Sequence, residues 1–231
     1  MPNSTVTLAE LITQVRQRSD MEGSTFVSDT EIRNWINTGL AELHDIMVQS
    51  FEDYYVESQQ FTIVAETPHT LPDDFYKVLG VDFVSGGVTT TVLPYSFAER
   101  NMYKSNAAML AGQAGAVRYI VQGNQMKFLP DSPPAGEIVM YYIPEAQQFA
   151  NDSTEDTVQL KVKARAVASG YQSYIVASAA IKCLMKEESD VRMLIVEKRE
   201  AQKRIEQAAT GRDAGHPARI VRAAVGVETL V

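Results

Sequence analysis

The sequence has a single cysteine, Cys183, in 231 residues. That excludes an internal disulfide framework and fits a reducing compartment. Histidine is nearly as scarce: His44, His69 and His216 are the full set, and none has a histidine, cysteine or carboxylate at metal-ligand spacing. No apolar run approaches the roughly 20 residues of a membrane span. The opening MPNSTVTLAE lacks the basic and apolar regions of a secretion signal. These absences predict a protein made and kept in a cytoplasm, with no membrane partner, metal or cofactor.

Local catalytic signatures are missing too. Gly112 and Gly115 do not complete a phosphate-binding loop, no Walker-type sequence occurs, and no Gly-x-Ser-x-Gly elbow is present. Asp73-Asp74 and Glu187-Glu188 are adjacent carboxylates; neighbours on a strand or helix point apart and do not form an acid/base pair unaided. Asp152, Glu155 and Asp156 lack the glycine and regular spacing of a calcium loop. Cys183, set among Ala179, Ala180, Ile181 and Leu184, reads as a small core residue. The sequence points away from an enzyme. A hydrolase using scattered acids of the middle region is the catalytic alternative that survives.

What is present is ordinary globular composition, 45% hydrophobic and 22% charged, enough for one good core or two small ones. The charge is unevenly spread. Residues 1–80 carry a net −9, residues 81–160 a net −4 and residues 161–231 a net +5, within a total of −8. An acidic front and a basic back can pair within one chain, or meet across the head-to-side contacts that close rings. The acidic front also argues against reading the first two helices as a DNA-binding helix-turn-helix, since phosphates would repel it.

Periodicity divides the chain. Thr7-Leu8-Ala9-Glu10 and Ser28-Asp29-Thr30-Glu31 are capping boxes. Leu8, Leu11, Ile12 and Val15 follow the first; Ile32, Trp35, Ile36, Leu40, Leu43 and Met47 follow the second. Both sets have helical spacing, so helices are expected near 7–20 and 29–50, with Trp35 and Ile36 as core anchors. The middle region reads as short strands: Tyr54-Tyr55-Val56, Phe61 to Val64, Leu79 to Val84, Val88 to Leu93, Val117 to Val121, Met126 to Leu129 and Glu137 to Ile143. Gly86-Gly87 and Gln122-Gly123-Asn124-Gln125 mark turns. A short helix is expected after Ser96. Two more helices follow, one through Tyr171, Tyr174, Ile175, Ala179 and Cys183, the other from Ser189 or Asp190 toward a stop at Gly211.

The expected fold is α+β: N- and C-terminal helices form one bundle, with a small antiparallel β domain inserted between them. The segments are 1–52, 53–150, 151–211 and an extended tail, 212–231. That tail is rich in apolar residues and punctuated by Gly215, Pro217 and Gly226. Ordering it alone costs about 1–2 kcal/mol per residue, so it is expected to pack on its own body or a partner. Ile220, Val221, Val225 and Leu230 are the candidate apolar contacts, with Arg212, Arg219 and Arg222 meeting acids. Asp73 and Asp74 are candidates for a contact with a neighbouring copy, beside the simpler reading that Leu71 plugs the β domain and Pro72 stiffens the turn.

Several short strings, in order, resemble the head-to-tail adaptor (connector or neck) proteins of tailed bacteriophages. They are Leu71-Pro72-Asp73-Asp74-Phe75-Tyr76-Lys77-Val78-Leu79-Gly80-Val81-Asp82; Glu99-Arg100-Asn101 with Tyr103; Tyr119 to Asn124 with Phe128-Leu129-Pro130; and Tyr141-Tyr142-Ile143-Pro144. Gly170-Tyr171 with Tyr174 to Val176, Ala179 to Lys182, Lys186 to Asp190, and Arg204-Ile205 with Arg212 to Gly215 and Pro217 complete the set. Residues 218–231 are less characteristic. The resemblance implies a non-enzymatic virion protein of the neck, assembled in the host cytoplasm. It would act as a subunit of a homo-oligomeric, dodecameric ring. That ring would bind the portal protein on one side and a tail or nozzle protein on the other, and pass double-stranded DNA non-specifically through its channel. Another virion component, such as a tail terminator or neck protein, is the structural alternative.

Overall fold

A computed structural model describes residues 6–64, 67–105, 117–131, 134–146, 148–149 and 165–210. The helices are α1 (Leu8–Arg18), α2 (Asp29–Ser50), α3 (Arg100–Ser105), α4 (Arg165–Lys186) and α5 (Arg192–Thr210). Between α2 and α4 lie β1 (Glu57–Thr62), β2 (His69–Thr70), β3 (Phe75–Ser85), β4 (Val88–Thr91), β5 (Leu93–Pro94), β6 (Arg118–Gln122), β7 (Gln125–Leu129) and β8 (Glu137–Pro144). The protein is α+β, as its helix–strand–helix order requires.

Both capping boxes form. The Thr7 hydroxyl accepts from the Glu10 N–H while the Glu10 carboxylate accepts from the Thr7 N–H, and Ser28 and Glu31 repeat the exchange at α2. Each satisfies donors that a helix start leaves open. At α5 the Arg192 N–H donates instead to the Asp190 carboxylate, so the helix begins two residues beyond Asp190.

The helices close around one core. Leu8, Leu11 and Val15 of α1 meet Ile32, Ile36, Leu40, Leu43 and Met47 of α2; Tyr174, Ile175, Ala179 and Cys183 of α4; and Leu194, Ala201 and Ile205 of α5. Ile36 is fully buried, whereas Trp35 is only partly buried and packs on the core's flank. The face of α2 turned toward α4 is instead set by Gly39, where a methyl group would stand 3.4 Å from Ser178 Cβ. Burial drives the Cys183 thiol up to about 11.

The strands form two sheets, ordered β1-β8-β3-β4 and β2-β7-β6-β5. They face each other across Val81, Phe83, Ile138, Met140 and Tyr142 from the first and Tyr119 and Met126 from the second, with Leu71, Val92 and Val117 between. All pairings are antiparallel except β5 with β6, which is parallel. Tyr54-Tyr55-Val56 is not a strand: Tyr55 turns into the helical core. Strand β8 serves both cores. Tyr142 enters the sandwich core and its neighbour Ile143 enters the bundle core, the alternation that a pleated strand imposes.

Candidate functional site

The string Leu71 to Lys77 lies where bundle and sandwich meet. Leu71 is buried in the sandwich, and its N–H donates to the Asn124 carbonyl in the β6–β7 turn. Phe75 N–H closes the turn onto the Pro72 carbonyl. Tyr76 reaches the bundle: its hydroxyl donates to Asp45 at 3.2 Å, and its ring meets His44 edge-on with centroids 5.2 Å apart. Lys77 pairs with Glu52. From the bundle side, His44 Nε2 lies 2.9 Å from the Pro144 carbonyl at the end of β8. A carbonyl only accepts, so that nitrogen carries the proton. Tyr55 stacks on the imidazole, centroids 5.2 Å apart. Lower on the bundle, the Asn37 carboxamide donates to the Phe149 carbonyl at 3.1 Å and accepts from its N–H at 2.8 Å. The string is thus a clamp between two cores.

The two candidate carboxylates separate in role. Asp74 turns inward: its carboxylate accepts from the Tyr142 hydroxyl at 3.2 Å, and its carbonyl accepts from the Glu145 N–H. Burial first, and then the Asp74 charge, push the Tyr142 hydroxyl up to about 12. Asp73 is exposed, with no hydrogen-bond or ionic partner among the described residues. The candidate tail residues Arg212, Arg219, Ile220, Val221, Arg222, Val225 and Leu230 lie outside the described residues, as do Gly112, Gly115, Asp152, Glu155, Asp156 and His216.

Inside the bundle, one carboxylate collects three donors. Glu42 Oε2 accepts from Lys198 Nζ at 2.7 Å, from the Ser178 hydroxyl at 3.1 Å and from the Tyr174 hydroxyl at 3.4 Å. Lys198 also donates to Ser178 at 3.0 Å. Burial alone would raise the Glu42 pKa, but the Lys198 and Ser178 contacts outweigh it and leave it below its ordinary value. The Tyr174 hydroxyl is driven up by burial and by Glu42. With Lys186 on Glu31 at 2.6 Å, this is intramolecular pairing between the acidic front and the basic back. His69 ties the two sheets at one edge: its ring lies on Phe61, centroids 3.4 Å apart, and burial lowers its pKa.

Sequence reasoning did not find His44, Asn37, Glu42 or Arg16 as ties. Each lies in a helix and carries no local signal; their partners Pro144, Phe149 and Lys198 lie 100, 112 and 156 residues away, and Asp29, the partner of Arg16, lies 13 away across the α1–α2 loop. Among the described residues, no cluster of histidine, cysteine or carboxylate is placed to hold a metal ion, and no helix is long and apolar enough to cross a membrane.

The described polar side chains thus serve mainly to tie helices and sheets to one another in an α+β body. The SU10 adaptor protein family model matches residues 6–222. The chain belongs to that family, a family of phage head-to-tail adaptors found in the neck of the virion. A comparison with curated proteins gives no match.

Proposed function

We propose that the chain is a non-enzymatic subunit of a ring, a dodecamer by its resemblance, that joins the portal to a tail or nozzle protein and encloses the DNA channel. The observation that carries this reading is the family match across residues 6–222. Supporting it, the two cores are clamped by the Leu71 to Lys77 string, which suits a part that transmits load between head and tail. A net charge of −8 would let DNA slide past without sticking, because acidic walls repel phosphates.

In this reading the tail docks on the portal or on a neighbouring copy. Ile220, Val221, Val225 and Leu230 supply apolar contacts and Arg212, Arg219 and Arg222 meet acids. Asp73, exposed beside the clamp, faces a ring neighbour, with Asp74 holding the turn. Removing residues 212–231 tests the tail's part. The truncated chain is expected to keep its circular dichroism spectrum and lose binding to DNA-filled heads. Normal head binding would exclude the docking role, and an unfolded truncated chain would show that the tail wraps its own body.

A further inference from the structure

The loop between α1 and α2 and the turn between α4 and α5 meet at one end of the bundle. Lys186 Nζ reaches the Phe26 carbonyl at 3.2 Å, and its ammonium lies 5.0 Å from the Phe26 ring centroid. This end is rigid. The Arg16 guanidinium donates to the carbonyls of Ser24 and Val27, each at 2.9 Å, and to Asp29 at 2.5 Å, while Met21 and Val27 are buried beneath. Apart from Lys186, which pairs with Glu31, and Arg192, which pairs with Asp190, what it shows to solvent is acidic and apolar. Asp20, Glu22, Glu187 and Glu188 are exposed, with no cation paired to them among the described residues. Phe26 and Met185 are 54% and 62% exposed.

The sandwich carries the complement. A groove of about 300 Å³ runs between the second sheet and α3, lined by Tyr95, Phe97, Arg100, Lys104, Lys127 and Phe128. The described lining holds three cations against one acid, Asp131, in a chain of net −8. Arg100 lies over the Phe97 ring at 4.3 Å, and Phe97 itself is 57% exposed. Lys104 pairs with Asp131 at 3.0 Å, whereas Lys127 has no acid beside it among the described residues.

These surfaces cannot meet within one molecule. Helix α2 runs 22 residues, about 33 Å, with its start at the acidic end and its finish against the sandwich. Copies of an acidic chain repel one another except where a basic patch faces acids. We propose that the acidic, Phe26-bearing end of the bundle of one copy docks into the Arg100–Lys104–Lys127 groove of the next. Such a contact is heterologous, the type that repeats around a ring, and its rigid loop limits the ordering cost of docking. The inference rests on the reading of the chain as a ring subunit.

Charge reversal tests it. One variant carries Arg100→Glu, Lys104→Glu and Lys127→Glu; the other carries Glu22→Lys, Glu187→Lys and Glu188→Lys. Full-length labelled chains are added to DNA-filled heads that lack this protein, and copies bound per head are counted, with melting curves to confirm folding. Each variant alone should load at least tenfold more weakly than wild type. An equal mixture should load as wild type does, because alternating copies restore opposite charges at every contact. Wild-type loading by either folded variant alone, or no recovery in the mixture, would overturn the docking pair. Wild-type chains that load singly would instead defeat the ring reading beneath it.

Discussion

Lys198 Nζ lies 2.7 Å from Glu42 Oε2, and this pair, like Lys186 with Glu31, joins the basic last third of the chain to its acidic first third. Ser178 and Tyr174 converge on the same oxygen, so α2, α4 and α5 are fixed in mutual register by one carboxylate. Glu42→Gln should cost about 1–2 kcal/mol at neutral pH, the range for charge-assisted bonds in a partly exposed site. Because the Glu42 pKa is lowered from 4.5 in the folded state, its contribution is present above that value and fades as pH falls through the lower folded one. Urea melts at pH 7 and pH 3 should show the gap between wild type and variant closing at the acid pH. An equal gap at both would refute the role of the charge.

Ile36 and Trp35 should differ in cost. Ile36, fully buried, should lose about 2–5 kcal/mol on truncation to alanine. Trp35, partly buried on the flank, should lose about 1–3 kcal/mol, below the range for a fully buried aromatic. Thermal melts rank the two, and a larger loss at Trp35 would contradict its placement.

Two glycines make a sharper contrast. A methyl group at Gly136 would stand 2.5 Å from Phe83 Cζ and 2.7 Å from the Val84 carbonyl oxygen. The carbonyl belongs to β3 backbone and cannot yield, so Gly136→Ala should cost about 1–3 kcal/mol. At Gly39 the nearest atom is an ordinary 3.4 Å away, and the helix gains propensity, so Gly39→Ala should change stability by less than about 1 kcal/mol. Denaturant midpoints that place Gly39→Ala as the worse change would reverse this account of the packing.

The clamp turn yields a spectroscopic prediction. Asp74→Asn keeps an oxygen for the Tyr142 hydroxyl but removes the charge, so the cost should be below about 1.5 kcal/mol. The Tyr142 hydroxyl should then ionise below its present value near 12, visible in an ultraviolet pH titration. Asp73→Asn should leave both melt and titration unchanged. If it also leaves loading onto heads unchanged, the proposed contact at Asp73 is wrong.

The elements that carry their own local signal were legible in the sequence. Capping boxes at Thr7 and Ser28 placed α1 and α2, and the Gly123 turn placed β6 and β7, because caps and turns are short-range chemistry. The expected start of the last helix at Ser189 or Asp190 was early, since Asp190 serves as its side-chain cap. The parallel β5–β6 pair was not legible, since two-residue strands have no period. Nor was the clamp: Tyr76 and His44 are joined by packing between cores 32 residues apart in sequence. Asp73 and Asp74 looked alike in the string, and only the fold shows one turned in and the other out.

The central claim is that this chain is a repeated subunit of a neck ring, and cryo-electron microscopy of the intact virion neck tests it most directly. The account predicts a closed ring between portal and tail, around the DNA channel, into whose repeating unit the helical bundle and β-sandwich fit as one clamped body. A neck in which this fold occurs as a single copy, or only outside the channel wall, would contradict it.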